Sequence, residues 1–246
     1  MTLSTAQKQF WEENGYLAVE NVIPHDIIEA ERGRFDWLCE HWKSPEAQLV
    51  KPLHETGLPK EKWGPKTVRG FSDLAEHEPV FHQHAFHPNL LDIVADLIGR
   101  PFGLYETQAL LKPPGIGSPK PPHQDNAYFR VSPAKAVITC WCALDDATIE
   151  NGCMQYIPAS HKLGLIEHEW IKDTPHQVPV GVDVSKAVSV PMKAGGVICH
   201  HSLTLHMSVE NRSQKWRRPL ICHYVRTDAD FSNAELPPAR VLHAGD

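Results

Sequence analysis

From about residue 101 onward the chain becomes a series of short β-rich runs separated by turns, with no long helix between them. Phe102 to Leu111, Ala127 to Val131, Ala136 to Leu144, Met154 to Ile157, Val188 to Pro191, Val197 to His200 and Leu220 to Val225 read as strands. Gly195-Gly196 and Asn151-Gly152 are hairpin or turn signals between them. Strands this short and numerous, without crossover helices, cannot form a parallel α/β sheet. They point to a sandwich or jelly roll.

The first hundred residues have a different texture. Ser4 or Thr5 can cap a short helix that turns Phe10 and Trp11 inward and ends near Gly15. Tyr16 to Val19 follows as a strand. Pro24 to Trp42 carries an apolar stripe at 27, 28, 35, 38 and 42, and Asn89 to Ile98 makes another helix closed by Gly99. Between them, residues 43–70 form a long irregular segment rich in proline and charge, the kind of loop that serves as a lid or binding segment. The expected plan is one domain over 1–246, with a mostly helical flank and lid loop over 1–100 and a β core over 101–230.

Charge and length narrow the function. A net charge of −6 argues against a nucleic-acid or anionic-membrane surface. No run of about 18 apolar residues offers a membrane span, and the polar start has no secretory signal pattern. Six cysteines are too sparse for a disulfide scaffold, so a reducing, cytoplasmic setting is expected. The partner is then a small molecule, with the oligomeric state left open.

Sixteen histidines make accidental metal-like triplets easy to find, yet His123-Gln-Asp125 is the one His-x-Asp/Glu triplet present. Alternation would point both side chains the same way off one strand. A second histidine from the downstream segment would complete two histidines and a carboxylate on one face of a metal, the arrangement of non-haem Fe(II) oxygenases. His200, His201 and His206 compete for that place. His206 is favoured because it precedes the polar turn 210–215. Arg217 begins the next apolar run, beside His206 if that turn is a hairpin, and could hold a dicarboxylate by a two-pronged ion pair. By alternation Arg218 faces the other way. Asn126, Tyr128 and Arg130 follow the triplet. Asn126 or Tyr128 could line a substrate pocket, or belong to a satisfied polar surface. Lys51, His54, Lys60, Lys62, Lys66 and Arg69 give the 43–70 segment enough positive charge to meet an anion, or simply a solvated face.

The chain resembles the phytanoyl-CoA dioxygenase family of Fe(II)/2-oxoglutarate oxygenases nearly end to end. The likeness rests on Gln9-Phe10 through Gly15-Tyr16-Leu17, His123-x-Asp125, Glu150-Asn-Gly-Cys-Met154 with Ile157-Pro-Ala-Ser-His161, and His206-x-Ser208 to Arg217. It implies a double-stranded β-helix, cupin-like, with His123, Asp125 and His206 on Fe(II) and Arg217 on the distal carboxylate of 2-oxoglutarate. Ser208, Gln108, Trp141 and Arg69 match further cosubstrate-contacting positions. Trp141 has a competing reading as a core aromatic, and Arg69 as a surface charge. The implied reaction couples O₂ and 2-oxoglutarate decarboxylation to C–H oxidation, with release of succinate and CO₂. Because Asp125 retains the carboxylate that iron halogenases lack, hydroxylation is favoured over halogenation. The C-terminal His243-Ala-Gly-Asp246 is not a Ser-Lys-Leu-type signal, and a small polar or amphipathic metabolite is expected before acyl-CoA. A cupin-like metal barrel without oxygenase activity is the remaining alternative, against which Arg217 argues.

Overall fold

The computed structural model describes residues 1–54, 58–172, 174 and 176–231, with the backbone of 242–243. A reciprocal capping box between Ser4 and Gln7 opens α1 (Thr5–Asn14), and Gly15, at φ 78°, closes it. Trp11 is buried as expected, but Phe10 is 40% exposed, because the helix lies flat and only one of two adjacent residues can face inward. The chain continues as β1 (Tyr16–Val19), α2 (His25–Glu40), α3 (Pro45–Leu49), β2 (Leu53–His54), β3 (Val68–Ser72), α4 (Leu74–His77), α5 (Pro79–Ala85) and α6 (Pro88–Ile98). The described residues of the 43–70 segment include a short helix and a sheet edge. Its Lys51 pairs with Asp73, and its His54 stacks on Trp63.

The second part runs through β4 (Phe102–Leu110), β5 (Lys120–His123), α7 (Asn126–Phe129), β6 (Val137–Ala143), β7 (Met154–Tyr156), β8 (His168–Trp170), β9 (Gln177–Pro179) and β10 (Val188–Val190). It ends with β11 (Val197–His201), β12 (His206–Ser208), β13 (Pro219–Arg226) and β14 (Leu242–His243). One large sheet has the order β1-β11-β6-β13-β4-β3-β2, with β14 also on β4. A smaller sheet, β10-β7-β12-β5, faces it, and β8-β9 is a separate hairpin. The two facing antiparallel sheets make a jelly roll of the double-stranded β-helix kind. The stretch Ala127 to Val131, read as a strand, instead turns as α7. The C-terminal tail read for a targeting signal lies, past His243, outside the described residues.

Both faces of the large sheet are covered, so its central strands are apolar without interruption. On β6, Ile138, Cys140 and Cys142 pack against the helices, while Trp141 and Ala143, with Ile198 and Ile221, face Tyr156 of the small sheet. All six cysteines are buried and free. One contact between titratable groups in the helical layer is fully buried: Glu31 of α2 meets His84 of α5 at 2.8 Å. Removing one partner strands the other in an apolar setting. His84→Ala is therefore expected to lower the unfolding free energy by about 3–5 kcal/mol, read by urea denaturation. A change under about 1 kcal/mol would mean that water reaches the pair.

Candidate metal and cosubstrate site

Two strands of the small sheet place the histidines. His123 ends β5, His206 begins β12, and the two are register partners. Asp125 does not extend the strand: it has helical dihedrals (φ −60°, ψ −37°) and starts α7, which swings its carboxylate back between the two imidazoles. The triplet therefore converges through a strand-to-helix bend rather than by alternation. Gln124 holds that bend. Its amide nitrogen donates to the carbonyls of Gly164 and Leu203, and its oxygen accepts from the Ile166 amide.

His123 Nε2 and His206 Nε2 stand 3.6 and 3.5 Å from Asp125 Oδ1. One donor atom from each of the three residues lies within 4.8 Å of the others, and this is the one such group of metal-ligating side chains among the described residues. Each imidazole donates from Nδ1 to a carbonyl, Pro121 for His123 and Thr204 for His206, both at 2.9 Å. A carbonyl only accepts, so Nδ1 carries the hydrogen and Nε2 presents its lone pair. Burial pushes the His123 imidazole well below its ordinary value and His206 down to about 4. Burial alone would raise the Asp125 carboxyl. His206 and His200 outweigh it and hold the group well below the usual range. Two neutral imidazoles and one carboxylate are the protonation states a metal needs, so the residues fit a divalent ion.

The large sheet supplies what the sequence reading missed. His200, Thr139 and His223 sit in one register row across β11, β6 and β13. Thr139 Oγ1 donates to Asp125 Oδ2 at 2.6 Å, and His200 Nε2 donates to the same oxygen at 3.0 Å. His223 Nδ1 then donates to Thr139 at 2.9 Å, and the Gln108 amide nitrogen donates to His223 Nε2 at 2.8 Å. Tyr156 closes the other end by donating to His200 Nδ1. Oδ2 is thereby occupied and Oδ1 is left facing His123 and His206. His200 is thus beside the metal position without pointing a nitrogen at it. His201 packs near Trp11 and His161 instead. The only sequence signal for Thr139 and His223 is a polar residue recurring inside an apolar strand. Thr139→Val keeps the shape and removes one donor. Outer partners of this kind typically contribute 10- to 100-fold to metal affinity. A roughly tenfold loss of Fe(II) affinity is expected, and unchanged affinity would show that Oδ2 needs no second donor.

Next to the triad lies a cavity of about 480 Å³, within the range of small-ligand sites. Gln108, Trp141, Ser208, Arg69 and Tyr128 line it, as does Arg217. Arg217 is not His206's hairpin neighbour. It lies at the start of the large sheet, bridged to Lys112, while His206 belongs to the small one. Its guanidinium carbon stands 5.4 Å over the Trp141 ring, Nη1 donates to the Leu110 carbonyl at 2.8 Å, and Nε is buried with no partner. Burial pulls it down to about 9. A buried cation with an orphaned N–H is the natural seat of a carboxylate. Arg218 faces away and pairs with Asp145 and Asp36. Asn126 does not reach this cavity: its amide is bonded to the Val131 backbone across α7. Of the basic residues Lys51, His54, Lys60, Lys62, Lys66 and Arg69, Arg69 alone lines it.

Two histidines and a carboxylate set on one face inside a jelly roll define the class, a non-haem iron oxygenase. Residues 11–219 match the phytanoyl-CoA dioxygenase family, and the chain belongs to it. It is 31% identical over 239 residues to a probable phytanoyl-CoA dioxygenase of Caenorhabditis elegans, covering 92% of this chain and 76% of that one. It is 28% identical over 240 residues to the peroxisomal phytanoyl-CoA dioxygenase of Rattus norvegicus, with 93% and 70% covered. Among solved structures it resembles the non-haem α-ketoglutarate-dependent carbocyclase SnoK of nogalamycin biosynthesis, with a TM-score of 0.72 and 24% identity over 99% of this chain and 94% of that one. No helix among the described residues is long and apolar enough to cross a membrane.

Proposed function

We propose that the protein oxidises an unactivated C–H bond of a small polar or amphipathic metabolite, using Fe(II), O₂ and 2-oxoglutarate and releasing succinate and CO₂. The observation that carries this reading is the pairing of a metal-ready His123/Asp125/His206 set with Arg217, a buried guanidinium whose Nε has no partner, in one cavity. A metal barrel without oxygenase chemistry would have no use for that cation. Iron with 2-oxoglutarate supplies the oxidising power when bound.

The chain's own residues do the rest. His123, Asp125 and His206 hold the metal from one side and leave the cavity side open. Arg217 and Ser208 anchor the distal carboxylate, with the Trp141 ring beneath the guanidinium. Gln108 gives one amide N–H to His223, and its second N–H is the group it offers the oxygens of the cosubstrate. Tyr128 packs edge-on against His123 at 5.9 Å and shapes the substrate side. We take 1–246 as one catalytic unit in which the helical flank backs the large sheet.

The relatives named above favour a second reading, an acyl-CoA as substrate. The experiment is a screen for O₂-dependent succinate formation with Fe(II) and 2-oxoglutarate, with and without candidate metabolites. Stimulation by free metabolites supports the first reading, and stimulation by acyl-CoA thioesters alone replaces it with the second. Absence of Fe(II)-dependent succinate under every condition overturns both. Six buried free thiols suit a reducing interior, in the cytoplasm or in the peroxisome named for the rat relative.

A further inference from the structure

Lys120 is a cation in this cavity with no task in the chemistry above. It opens β5, three residues before His123, opposite Ser208 on β12, and lines the same cavity as the metal set. Its ammonium lies 5.4 Å over the Tyr128 ring and donates to His176 Nδ1 at 3.1 Å. No carboxylate lies within ion-pair distance of it among the described residues. Its charged neighbours are instead Arg69, which repels it, and Asp125, whose opposing effect is smaller. Burial, then Arg69, push Lys120 down to about 8. Burial, then Lys120 and Arg69, push His176 down to about 4.

A cation held among cations in a half-buried place costs free energy unless an anion offsets it. The charges of the whole cavity point the same way. Four cationic side chains line it (Arg69, Lys112, Lys120, Arg217) against two carboxylates (Glu106, Asp125). A divalent metal and a dianionic cosubstrate cancel one another, so the positive excess of the walls survives their binding. Lys120 lies over Tyr128 against His176, whereas Arg217 lies over Trp141 against the Leu110 carbonyl, so the two cations occupy different parts of the wall. Arg217 takes the cosubstrate; Lys120 is left for a second anion.

We propose that Lys120, with His176 and Arg69 beside it, is a recognition subsite for an oxyanion of the primary substrate, a carboxylate or a phosphate. The proposal rests on the oxygenase reading. It makes Lys120 a specificity-determining residue: neutral molecules of the same shape are poor substrates because they leave the ammonium unpaired and desolvated.

The test uses the full chain loaded anaerobically with Fe(II) and saturating 2-oxoglutarate, titrated in a calorimeter with hexanoate, hexyl phosphate and neutral hexanamide. One of the two anions is expected to bind at least about tenfold more tightly than the amide, and which one does so names the oxyanion. Lys120→Met is expected to weaken that anion by roughly 10- to 100-fold, the usual worth of a charge-assisted hydrogen bond. Lys120→Arg should restore most of it, and 2-oxoglutarate affinity should stay within about twofold. Lys120→Gln serves if the Met variant does not fold. Equal binding of hexanamide, no binding of either anion, or anion binding that survives Lys120→Met would overturn the subsite. So would a matching loss of 2-oxoglutarate affinity, which would assign Lys120 to the cosubstrate anchor. A wild-type protein that does not bind 2-oxoglutarate at all would instead sink the oxygenase reading.

Discussion

Asp125→Ala is expected to abolish Fe(II)-dependent succinate formation and to lower Fe(II) affinity by more than about 100-fold, beyond what loss of an outer partner causes. The substitution removes the only charged donor of the triad. It also leaves Thr139 Oγ1 and His200 Nε2 aimed at nothing, since both donate to Oδ2 of that carboxylate. Two unmet buried donors cost about 1–3 kcal/mol each, so some loss of thermal stability should accompany the loss of metal. Asp125→Asn separates the two effects. Its carbonyl can accept from Thr139 and His200 while its amide nitrogen is no ligand, so the fold is kept and the metal is lost. His206→Ala should match Asp125→Ala in activity. Because burial holds His206 at about 4, the metal displaces no proton from it near neutral pH, and the wild-type affinity should be nearly flat from about pH 6 to 8. Turnover that survives Asp125→Ala would refute the metal assignment.

Arg217→Ala should act on the cosubstrate and leave the metal alone. Truncating one side of a buried hydrogen-bonded charge pair costs about 2–5 kcal/mol, or roughly 30- to several-thousand-fold in Kd. Anaerobic calorimetry with Fe(II) and 2-oxoglutarate reads this directly. Arg217→Lys should recover only part, because a point charge has no planar fork to match a carboxylate and no flat face to lie over Trp141. Without 2-oxoglutarate the Ala variant should be at least as stable as wild type, since an unpaired buried cation has been removed. Equal 2-oxoglutarate affinity in wild type and Arg217→Ala would place the anchor elsewhere.

The strands that cross the middle of the large sheet were readable because both of their faces are buried, which leaves long apolar runs. β1 was found at its observed bounds, and α1 and α6 at theirs within a residue, because caps and glycines mark them. The segment that carries His123 was not readable. Lys120–His123 contains two adjacent prolines and reads as loop, yet β5 is the edge of the small sheet, where a missing N–H goes unmissed. Ala127 to Val131 failed the opposite way. Its aromatic and β-branched residues suggest a strand, but the Asn126 amide ties the turn to the Val131 backbone and closes α7.

By itself the sequence determined the chemical inventory: one His-x-Asp triplet, a later histidine, a later arginine, and enough short strands to build two sheets. Order along the chain was sufficient for that, because each residue type has its own chemistry wherever it lies. Only the tertiary structure decided which histidine turns a free nitrogen toward His123 and Asp125. His200 and His206 are six residues apart, but they lie on opposite sheets, one donating to Asp125 Oδ2 and the other presenting a lone pair beside Oδ1. It also decided that Asn126 faces away, that Lys120 faces in, and that Arg217 meets the triad from the far sheet. Those outcomes depend on how two sheets stack, and the hydrophobic burial that stacks them acts on area rather than on position in the chain.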